Sequence, residues 1–557
     1  MKKLTSIALA VVLLAAACGS DDADDATESE SDTAVSPAAG GSDGESDQDS
    51  AADETTEAEV EEMAPGSSED AFASTTIPSS SDRAASEGAA PGGLFDDSTD
   101  TKADEADEDE DNTFADYGIR PFVSTAVDPL STFALDVDTA SYSIAQRWVE
   151  GGSVPPVDSV RLEEYVNSFN YDYSTPRDGL AVVADAGPSP FVDGNVMVRL
   201  GVQAEQVANA DRPAASLTFV VDTSGSMDRG DRLELVKTSL ERLVVELDSD
   251  DQVAIVTYSD NAQILLPPTE VADEAIIIDA IRNLRTNGST NLEAGLQRGY
   301  DLANESFVEG GINRVVLASD GVANVGLTDP EGLVSLIRGD ADRGIHLVTV
   351  GVGMGNFNDV TMEQLANDGD GFYAYVNDVA EAERLFSDDL VSTLLTVAID
   401  GKIQVEFDED VVAQYRLLGF ENRAVLDDDF RNDAVDAGEL GAGHQVTALY
   451  ELTLHDSVRP SDRLGTVQIR WEDPDSGSVV ESRLELAGSI IEDRWADTDA
   501  DFRLAVTVAA LAELLRDSPH VGDITLDQVA SEADSLSPGN GAIEEFSSLV
   551  RSIQSLS

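Results

Sequence analysis

The stretch Leu217-Thr-Phe-Val-Val-Asp-Thr-Ser-Gly-Ser-Met227 decides the predicted fold, because an apolar run ends there in carboxylate and hydroxyl side chains. Its β-branched and aromatic residues predict a strand that is buried on both faces, as in a parallel sheet. Asp222, Ser224 and Ser226 come where that strand would end, ahead of a helical pattern. Loops at the carboxyl ends of parallel strands are where open α/β folds place their ligands. This stretch is therefore the best candidate for a functional site.

Two later residues could complete a shell of oxygen ligands around a cation. Thr290 lies in Gly288-Ser-Thr-Asn291 before a helical pattern, and Asp320 follows the apolar run that begins at Arg314. A hard divalent cation such as Mg²⁺ prefers oxygen ligands. The five residues together carry only two negative charges, so a bound dication would still attract an acidic group from a partner. The predicted cofactor is Mg²⁺, with Mn²⁺ or Ca²⁺ as alternatives.

Each of these residues also has a simpler interpretation when it is taken alone. Ser and Asp ahead of a helix are ordinary N-caps, and Ser319-Asp-Gly321 is ordinary turn chemistry. The metal hypothesis rests on all five appearing in order at the ends of predicted strands or ahead of helices.

The five residues resemble the metal-ion-dependent adhesion site of von Willebrand factor type A domains in type, order and context. The chain from roughly residue 113 to 557 resembles a bacterial lipoprotein family in which that domain lies between two segments of unassigned role. The supporting phrases are Ser131-Thr-Phe-Ala-Leu-Asp-Val-Asp-Thr-Ala-Ser-Tyr142, Asp436-Ala-Gly-Glu-Leu-Gly-Ala-Gly-His444 and Thr447-Ala-Leu-Tyr-Glu451.

The resemblance implies metal-dependent binding of a protein ligand that offers an acidic side chain. It also implies that Ser224 and Ser226 are direct ligands of the cation, whereas Asp222, Thr290 and Asp320 bind it directly or through water.

The central domain is predicted to run from residue 214 to 396 as alternating strands and helices. After the first strand, the predicted strands are 252–258, 262–266, 314–319, 345–352 and 371–376. The predicted helices begin with an apolar stripe from Leu233 to Leu247 and continue at 273–284, 291–306, 330–343 and 379–395. This alternation predicts an α/β fold with a doubly wound, mostly parallel sheet. The resemblance implies that this sheet is of the Rossmann-like von Willebrand factor A type.

The two flanking domains, residues 113–213 and 397–557, have strands whose residues alternate between apolar and polar. In the first, 131–138, 180–186 and 195–204 read as strands, and 139–150 and 160–169 read as helices. In the second, strands at 401–408, 412–420, 444–455, 464–472 and 478–487 precede helices at 502–516 and 542–553. We expect a flanking antiparallel β-rich domain built from both sides of the central domain, with the C-terminal helices packed into its core.

Asp136 and Asp138 form a second Asp-x-Asp pattern, which resembles the nucleophile motif of haloacid dehalogenases. The later lysine motif of that family is missing, so we expect solvated or capping aspartates instead. The four histidines lie far apart in the sequence, and Ser224 has no Gly-x-Ser-x-Gly elbow around it. The chain is therefore predicted not to be an enzyme.

A formal net charge of −77 argues against nucleic-acid binding, because phosphates would be repelled. Cys18 is the sole cysteine and follows a basic start, an apolar segment and three alanines, so residues 1–17 read as an export signal. The segment resembles a bacterial lipoprotein signal peptide, which implies lipidation at Cys18. Residues 18–112 are acidic and poor in apolar side chains, which predicts a disordered tether. The protein is expected to be exported and to contact the membrane only through this lipid, facing the extracytoplasmic side.

These features together predict a membrane-anchored protein that binds a protein partner through a divalent cation, in adhesion or envelope scaffolding. Two alternatives stay open. The first is a structural envelope protein whose metal only stabilises the fold, and the second, less favoured, is a hydrolase.

Overall fold

The structure, a computed structural model, describes residues 112–557 apart from residues 231, 322, 342, 354–356, 389 and 456–457. The predicted signal peptide, Cys18 and nearly all of the acidic tether therefore lie outside the described residues. Sixteen strands and twelve α-helices are assigned within that range. The described residues all belong to one unit, Asp97–Ser557.

The strands follow one another along the chain as β1 (Val123–Ser124), β2 (Leu130–Ala134), β3 (Leu180–Pro188), β4 (Val196–Ala204), β5 (Ala215–Asp222), β6 (Gln252–Tyr258), β7 (Ala262–Glu270), β8 (Ile312–Ser319), β9 (Ile345–Val352), β10 (Phe372–Val376), β11 (Thr396–Phe407), β12 (Val412–Leu418), β13 (Gly438–Gly441), β14 (Gln445–Leu454), β15 (Arg463–Asp473) and β16 (Ser478–Ala487). The α-helices are α1 (Ala140–Glu150), α2 (Leu162–Asn167), α3 (Arg232–Glu246), α4 (Glu274–Arg282), α5 (Leu292–Glu305), α6 (Pro330–Ala341), α7 (Asp359–Asn367), α8 (Val379–Glu383), α9 (Leu390–Leu394), α10 (Ala500–Leu515), α11 (Leu526–Leu536) and α12 (Gly541–Leu556).

The central sheet has the strand order β10-β9-β8-β5-β6-β7. All neighbouring pairs are parallel except β6 and β7, which are antiparallel. Helices α3 and α4 cover one face and α5, α6 and α7 cover the other, so every residue of β5 and β8 is buried. The predicted doubly wound, mostly parallel fold is confirmed.

Two antiparallel sheets lie beside the central domain. The first flanking sheet has the order β1-β12-β14-β4-β3, and the second has the order β13-β11-β15-β16 with β2 also paired to β11. They share one apolar core, to which Leu200, Ile403 and Tyr450 contribute. Since β4 pairs with β14 and β2 with β11, each sheet combines strands from before and after the central domain. The expected β-rich domain built from both sides is confirmed, and it consists of two sheets.

Helices α10, α11 and α12 pack with α1 and α2 against the first flanking sheet. Helix α1 faces two ways, because Ala140 and Ile144 belong to the core of the central domain while Tyr142 and Ala145 belong to this helical cluster. The predicted role of the C-terminal helices as core elements is confirmed. Among the helices that the structure describes, none has the length and apolar character needed to span a bilayer.

The single closing helix predicted over residues 379–395 is wrong. Helix α8 ends at Glu383, a π-helical turn occupies Arg384–Asp388, and α9 runs only to Leu394. The hydroxyl of Thr393 donates to the carbonyl of Leu385, and the guanidinium of Arg314 donates to the carbonyl of Leu394. The first contact uses a carbonyl that a regular α-helix would pair with its own backbone, and the second satisfies a carbonyl at the end of α9 that has no partner within the helix. The chain then enters β11 at Thr396. Helices α7 and α11 and strand β13 were not predicted.

A buried ionic triad joins the first flanking sheet to α10. The guanidinium of Arg416 lies 3.3 Å from a carboxylate oxygen of Glu451 and 3.1 Å from one of Glu513, and all three side chains are fully buried. Glu451 also accepts hydrogen bonds from Ser189 and Asn195. Burying charged groups is costly unless they are paired. Arg416 is the cation that the two carboxylates share, and Glu513 has Arg516 as a second partner at 3.2 Å.

We expect Arg416→Met to lower the free energy of unfolding by about 3–5 kcal/mol, because it leaves two buried carboxylates without the cation they share. Urea denaturation followed by circular dichroism measures the loss. The matched control is Arg431→Met, which removes an exposed pair with Glu481 and should cost less than about 1 kcal/mol. Equal effects of the two substitutions would contradict the role given to the triad.

Candidate metal centre

The serine turn, residues 222–226, begins at the last residue of β5. The carboxylate of Asp222 accepts a hydrogen bond from the backbone N–H of Ser224 at 2.7 Å, which folds the chain back directly after the strand. The hydroxyl oxygens of Ser224 and Ser226 lie 2.9 Å apart. Asp222 and Ser224 are buried, whereas Ser226 is partly exposed. One short turn thus holds three of the five predicted oxygen donors.

Thr290 lies on the loop between α4 and α5, and this loop runs against the serine turn. The N–H of Gly225 donates to the carbonyl of Gly288 at 3.0 Å, and the N–H of Asn287 donates to the carbonyl of Thr223 at 2.5 Å. Thr290 itself is buried. Backbone hydrogen bonds therefore bring the fourth predicted residue to the serine turn.

Asp320 follows β8, the neighbour of β5 in the sheet. The side chain of Asn324 on the same loop accepts a hydrogen bond from the N–H of Thr290 at 2.8 Å, which joins the Asp320 loop to the Thr290 loop. The hydroxyl of Ser319 donates to Asp222 at 2.9 Å. The structure thus gathers the three loops that carry all five predicted residues at the carboxyl edge of the central sheet.

Arg232, the first residue of α3, is the cation that the structure places among these loops. Its guanidinium lies 2.8 Å from Oδ2 of Asp320 and also donates to the carbonyl of Ser226 at 3.3 Å. Both side chains of the pair are buried. Nothing in the sequence singled out Arg232 or Ser319, because their roles depend on which strands become neighbours.

Two buried carboxylates, those of Asp222 and Asp320, therefore interact in a region from which water is largely excluded. Burial and then the charge of Asp320 raise the pKa of Asp222 to about 7. The Oδ1 atom of Asp320 is buried and has no hydrogen-bond partner among the described residues. The donor set consists of carboxylate and hydroxyl oxygens only, which suits a hard divalent cation. The residues present fit such an ion.

The predicted solvated or capping role of Asp136 and Asp138 is wrong. Both side chains are buried, and the guanidinium of Arg423 bridges them at 3.1 Å and 2.8 Å. The other carboxylate oxygen of Asp138 accepts the backbone N–H of Tyr373 at the beginning of the central domain's edge strand. Their common cation lies almost 300 residues further along the chain, so local sequence could not reveal it.

Family models match three parts of the chain. A von Willebrand factor type A domain model matches residues 216–388, a model described as "Uncharacterized protein YfbK, C-terminal" matches residues 392–556, and one described as "von Willebrand factor" matches residues 108–199. The recognised resemblance to a type A domain between two flanking segments is confirmed.

Two curated relatives agree with these matches, and one solved structure is reported beside them. The chain is 36% identical over 436 residues to "Uncharacterized protein YfbK" of Escherichia coli strain K12, covering 73% of this chain and 75% of the relative. It is 23% identical over 286 residues to human inter-alpha-trypsin inhibitor heavy chain H3, covering 47% of this chain and 31% of that protein. A solved structure, a von Willebrand factor type A protein from Catenulispora acidiphila, aligns with a TM-score of 0.41 and 14% identity over 68% of this chain and 91% of its own.

We expect Mg²⁺ to raise the melting temperature of the full chain relative to EDTA, because an ion bound only by the folded state stabilises it. The gain is about 2.7 kcal/mol when the free ion is at one hundred times its dissociation constant. Asp222→Asn should remain folded and lose most of this gain, since it removes one of two carboxylates. Differential scanning calorimetry measures both.

The matched control for this experiment is Asp228→Asn, which removes an exposed acidic group just beyond the serine turn. It should keep the full Mg²⁺-dependent gain. A wild-type chain that melts at the same temperature in Mg²⁺ and in EDTA would contradict the metal assignment.

Proposed function

The chain belongs to the YfbK family of von Willebrand factor type A proteins, and from this membership we propose that it binds a protein partner through a divalent cation. The observation that carries the proposal is the gathering of five oxygen-bearing residues on three mutually hydrogen-bonded loops. Domains of this family commonly mediate protein–protein interaction, which fits a role in adhesion or envelope scaffolding.

Asp222, Ser224, Ser226, Thr290 and Asp320 would hold the ion, most suitably Mg²⁺. When bound, the cation would supply a Lewis-acidic position for a carboxylate of the partner. The ion pair between Arg232 and Asp320 uses Oδ2, and Oδ1 of Asp320 has no hydrogen bond to any residue that the structure describes.

A partner could reach this edge of the sheet through the exposed parts of the same three loops. Asp228 and Arg229 are exposed just beyond the serine turn, Asn287 is exposed on the Thr290 loop, and Val325 is 40% exposed beyond Asp320. These side chains differ in charge and polarity, so they would select among partners that offer the same acidic group.

The proposed function does not include catalysis. Burial lowers the pKa of His346 to about 3 and that of His444 to about 4, which keeps both imidazoles neutral. In the part of the chain that the structure describes, the hydroxyl of Ser224 meets the hydroxyl of Ser226 and no histidine. A serine without a neighbouring base is a poor nucleophile.

The proposal also includes export and a lipid anchor at Cys18, which rest on the amino-terminal sequence alone. The acidic composition of residues 18–112 would keep this stretch extended between the membrane and the binding domain.

One observation favours the second candidate function, in which the metal only stabilises an envelope protein. Asp222, Ser224, Thr290 and Asp320 are each at most 3% exposed, so much of the candidate site is closed to solvent. If the metal is adhesive, chelation abolishes partner binding by a chain that is still folded. If the metal only stabilises the fold, partner binding survives chelation.

We expect crosslinking on intact cells to capture a partner in Mg²⁺ and to lose it in EDTA or with Ser224→Ala, because that substitution removes a predicted ligand. The experiment is run below the melting temperature measured in EDTA, so that the chain stays folded throughout. The crosslinked product is detected by mass spectrometry of the purified complex.

The matched control is Ser335→Ala, an equally small change at an exposed residue of α6, and it should leave the crosslinked product unchanged. Capture that survives both EDTA and Ser224→Ala would favour the purely stabilising metal over the adhesive role.

We expect Cys18→Ser to move the protein from the membrane fraction to the soluble or secreted fraction, because the lipid is the proposed membrane contact. Fractionation with labelled palmitate checks both the location and the modification. Persistent membrane association without label would show that another feature anchors the chain.

A further inference from the structure

A cluster of three carboxylates lies at the amino edge of the central sheet, opposite to the serine turn. Asp370 lies in the turn between α7 and β10, Asp436 precedes β13, and Glu439 lies within β13. One oxygen from each of the three lies within 4.8 Å of the others. The cluster therefore joins the central domain to the second flanking sheet.

The three side chains line a cavity of about 470 Å³. Asp400 of β11 also lines it, as do Asp368 and Asp433. The Asp400 side chain accepts the N–H of Ala437, which holds the segment before β13 against β11. The cavity thus has room for water molecules and is surrounded mainly by carboxylate oxygens.

Glu439 is the observation that points to a ligand. Its side chain is buried, with 8% exposed, and its Oε1 atom has no hydrogen-bond partner among the described residues. Burial, followed by the charges of Asp370 and Asp436, raises its pKa well above the usual value. Asp436 lies at the exposed rim of the cavity, where partial burial, followed by the charge of Asp400, raises its pKa to about 6. A buried carboxylate oxygen of this kind needs a proton or a cation.

The basic side chains near the cavity have other partners. Lys402 donates to the backbone carbonyls of Asn432 and Val435, and Arg338, on the exposed rim, forms an ion pair with Asp368. The guanidinium of Arg314 donates to the carbonyl of Leu394, to the hydroxyl of Thr396 and, at 3.5 Å, to the backbone carbonyl of Asp370. None of these contacts occupies Oε1 of Glu439.

We propose that Asp370, Asp436 and Glu439 form a second divalent-cation site, of the calcium type, which holds the central domain against the second flanking sheet. Ca²⁺ takes six to eight oxygen ligands in flexible geometry, with carboxylates binding through one or both oxygens. Three carboxylates and the waters of the cavity meet this requirement better than the strict octahedron of Mg²⁺. This site contains no residue of the serine turn.

Isothermal titration with CaCl₂ in 150 mM NaCl tests the proposal on the full chain kept in detergent. The starting variant is Asp222→Asn, so that binding at the serine turn does not contribute. It should bind one Ca²⁺ specifically. Adding Asp436→Asn should weaken that binding by at least about tenfold, because affinity depends on the number of charged ligands.

Glu439→Gln provides a second test, which compares the melting temperature of this variant with that of its parent in EDTA and in Ca²⁺. In EDTA this variant should melt at or above the temperature of its parent, because a buried unpaired carboxylate is removed. In Ca²⁺ it should melt below the parent, because a ligand is missing. A merely structural role for Glu439 would not make the order of melting temperatures depend on the ion.

The control is Glu492→Gln combined with Asp493→Asn, which neutralises two exposed carboxylates elsewhere on the acidic surface. It should leave both the titration and the Ca²⁺-dependent melting unchanged, which separates specific binding from general attraction of cations. The proposal is overturned if the Asp222→Asn variant binds no Ca²⁺, or if Asp436→Asn and Glu439→Gln behave like this control.

Discussion

The ion pair between Arg232 and Asp320 is the interaction on which the candidate site depends. It lies between β8 and the beginning of α3, and the same guanidinium also contacts the carbonyl of Ser226. Without this cation, Asp222 and Asp320 would face each other as two buried carboxylates. With it, Oδ2 of Asp320 is paired with a cation, while Oδ1 accepts no hydrogen bond from the described part of the chain. The ion pair thus stabilises the fold around the site. It leaves an unpaired carboxylate oxygen at which a dication could bind.

Buried carboxylates that need a nearby cation recur throughout the part of the chain that the structure describes. Acidic residues outnumber basic ones by 110 to 33, and several buried arginines each contact more than one carboxylate. Arg161 contacts carboxylates on α2 and α7, Arg423 bridges Asp136 and Asp138, and Arg416 bridges Glu451 and Glu513. These shared cations lie where the flanking strands and helices meet one another or the central domain. Glu439 belongs to the same pattern, but its Oε1 atom has no such contact.

Sequence periodicity predicted the strands and helices that have a regular pattern of buried residues. It failed where the local structure departs from that pattern. Strand β9 was predicted with its observed bounds because seven of its eight residues are buried and most of them are apolar. The π-helical turn between α8 and α9 was not predicted, because the apolar spacing of residues 379–395 does not show it. The five oxygen donors were predictable because strand ends and residue types are visible in sequence. The role of Arg232 was not predictable, because its partner Asp320 comes close only when β8 pairs with β5. The identity of the bound cation stays a prediction.

The two candidate cation sites lie at opposite edges of one parallel sheet, and β8 connects them. At its carboxyl end, Ser319 donates to Asp222 and Asp320 follows directly; near its amino end, Arg314 donates to Leu394 and to Thr396, where the chain enters the flanking sheets. Every residue of β8 is buried between two paired strands, so the strand cannot move without both neighbours. Force applied by a partner at the serine turn would therefore be carried through β8 to the junction with the flanking domain. A cation that joined Glu439 to Asp370 would strengthen the fold at the place where such a force would arrive.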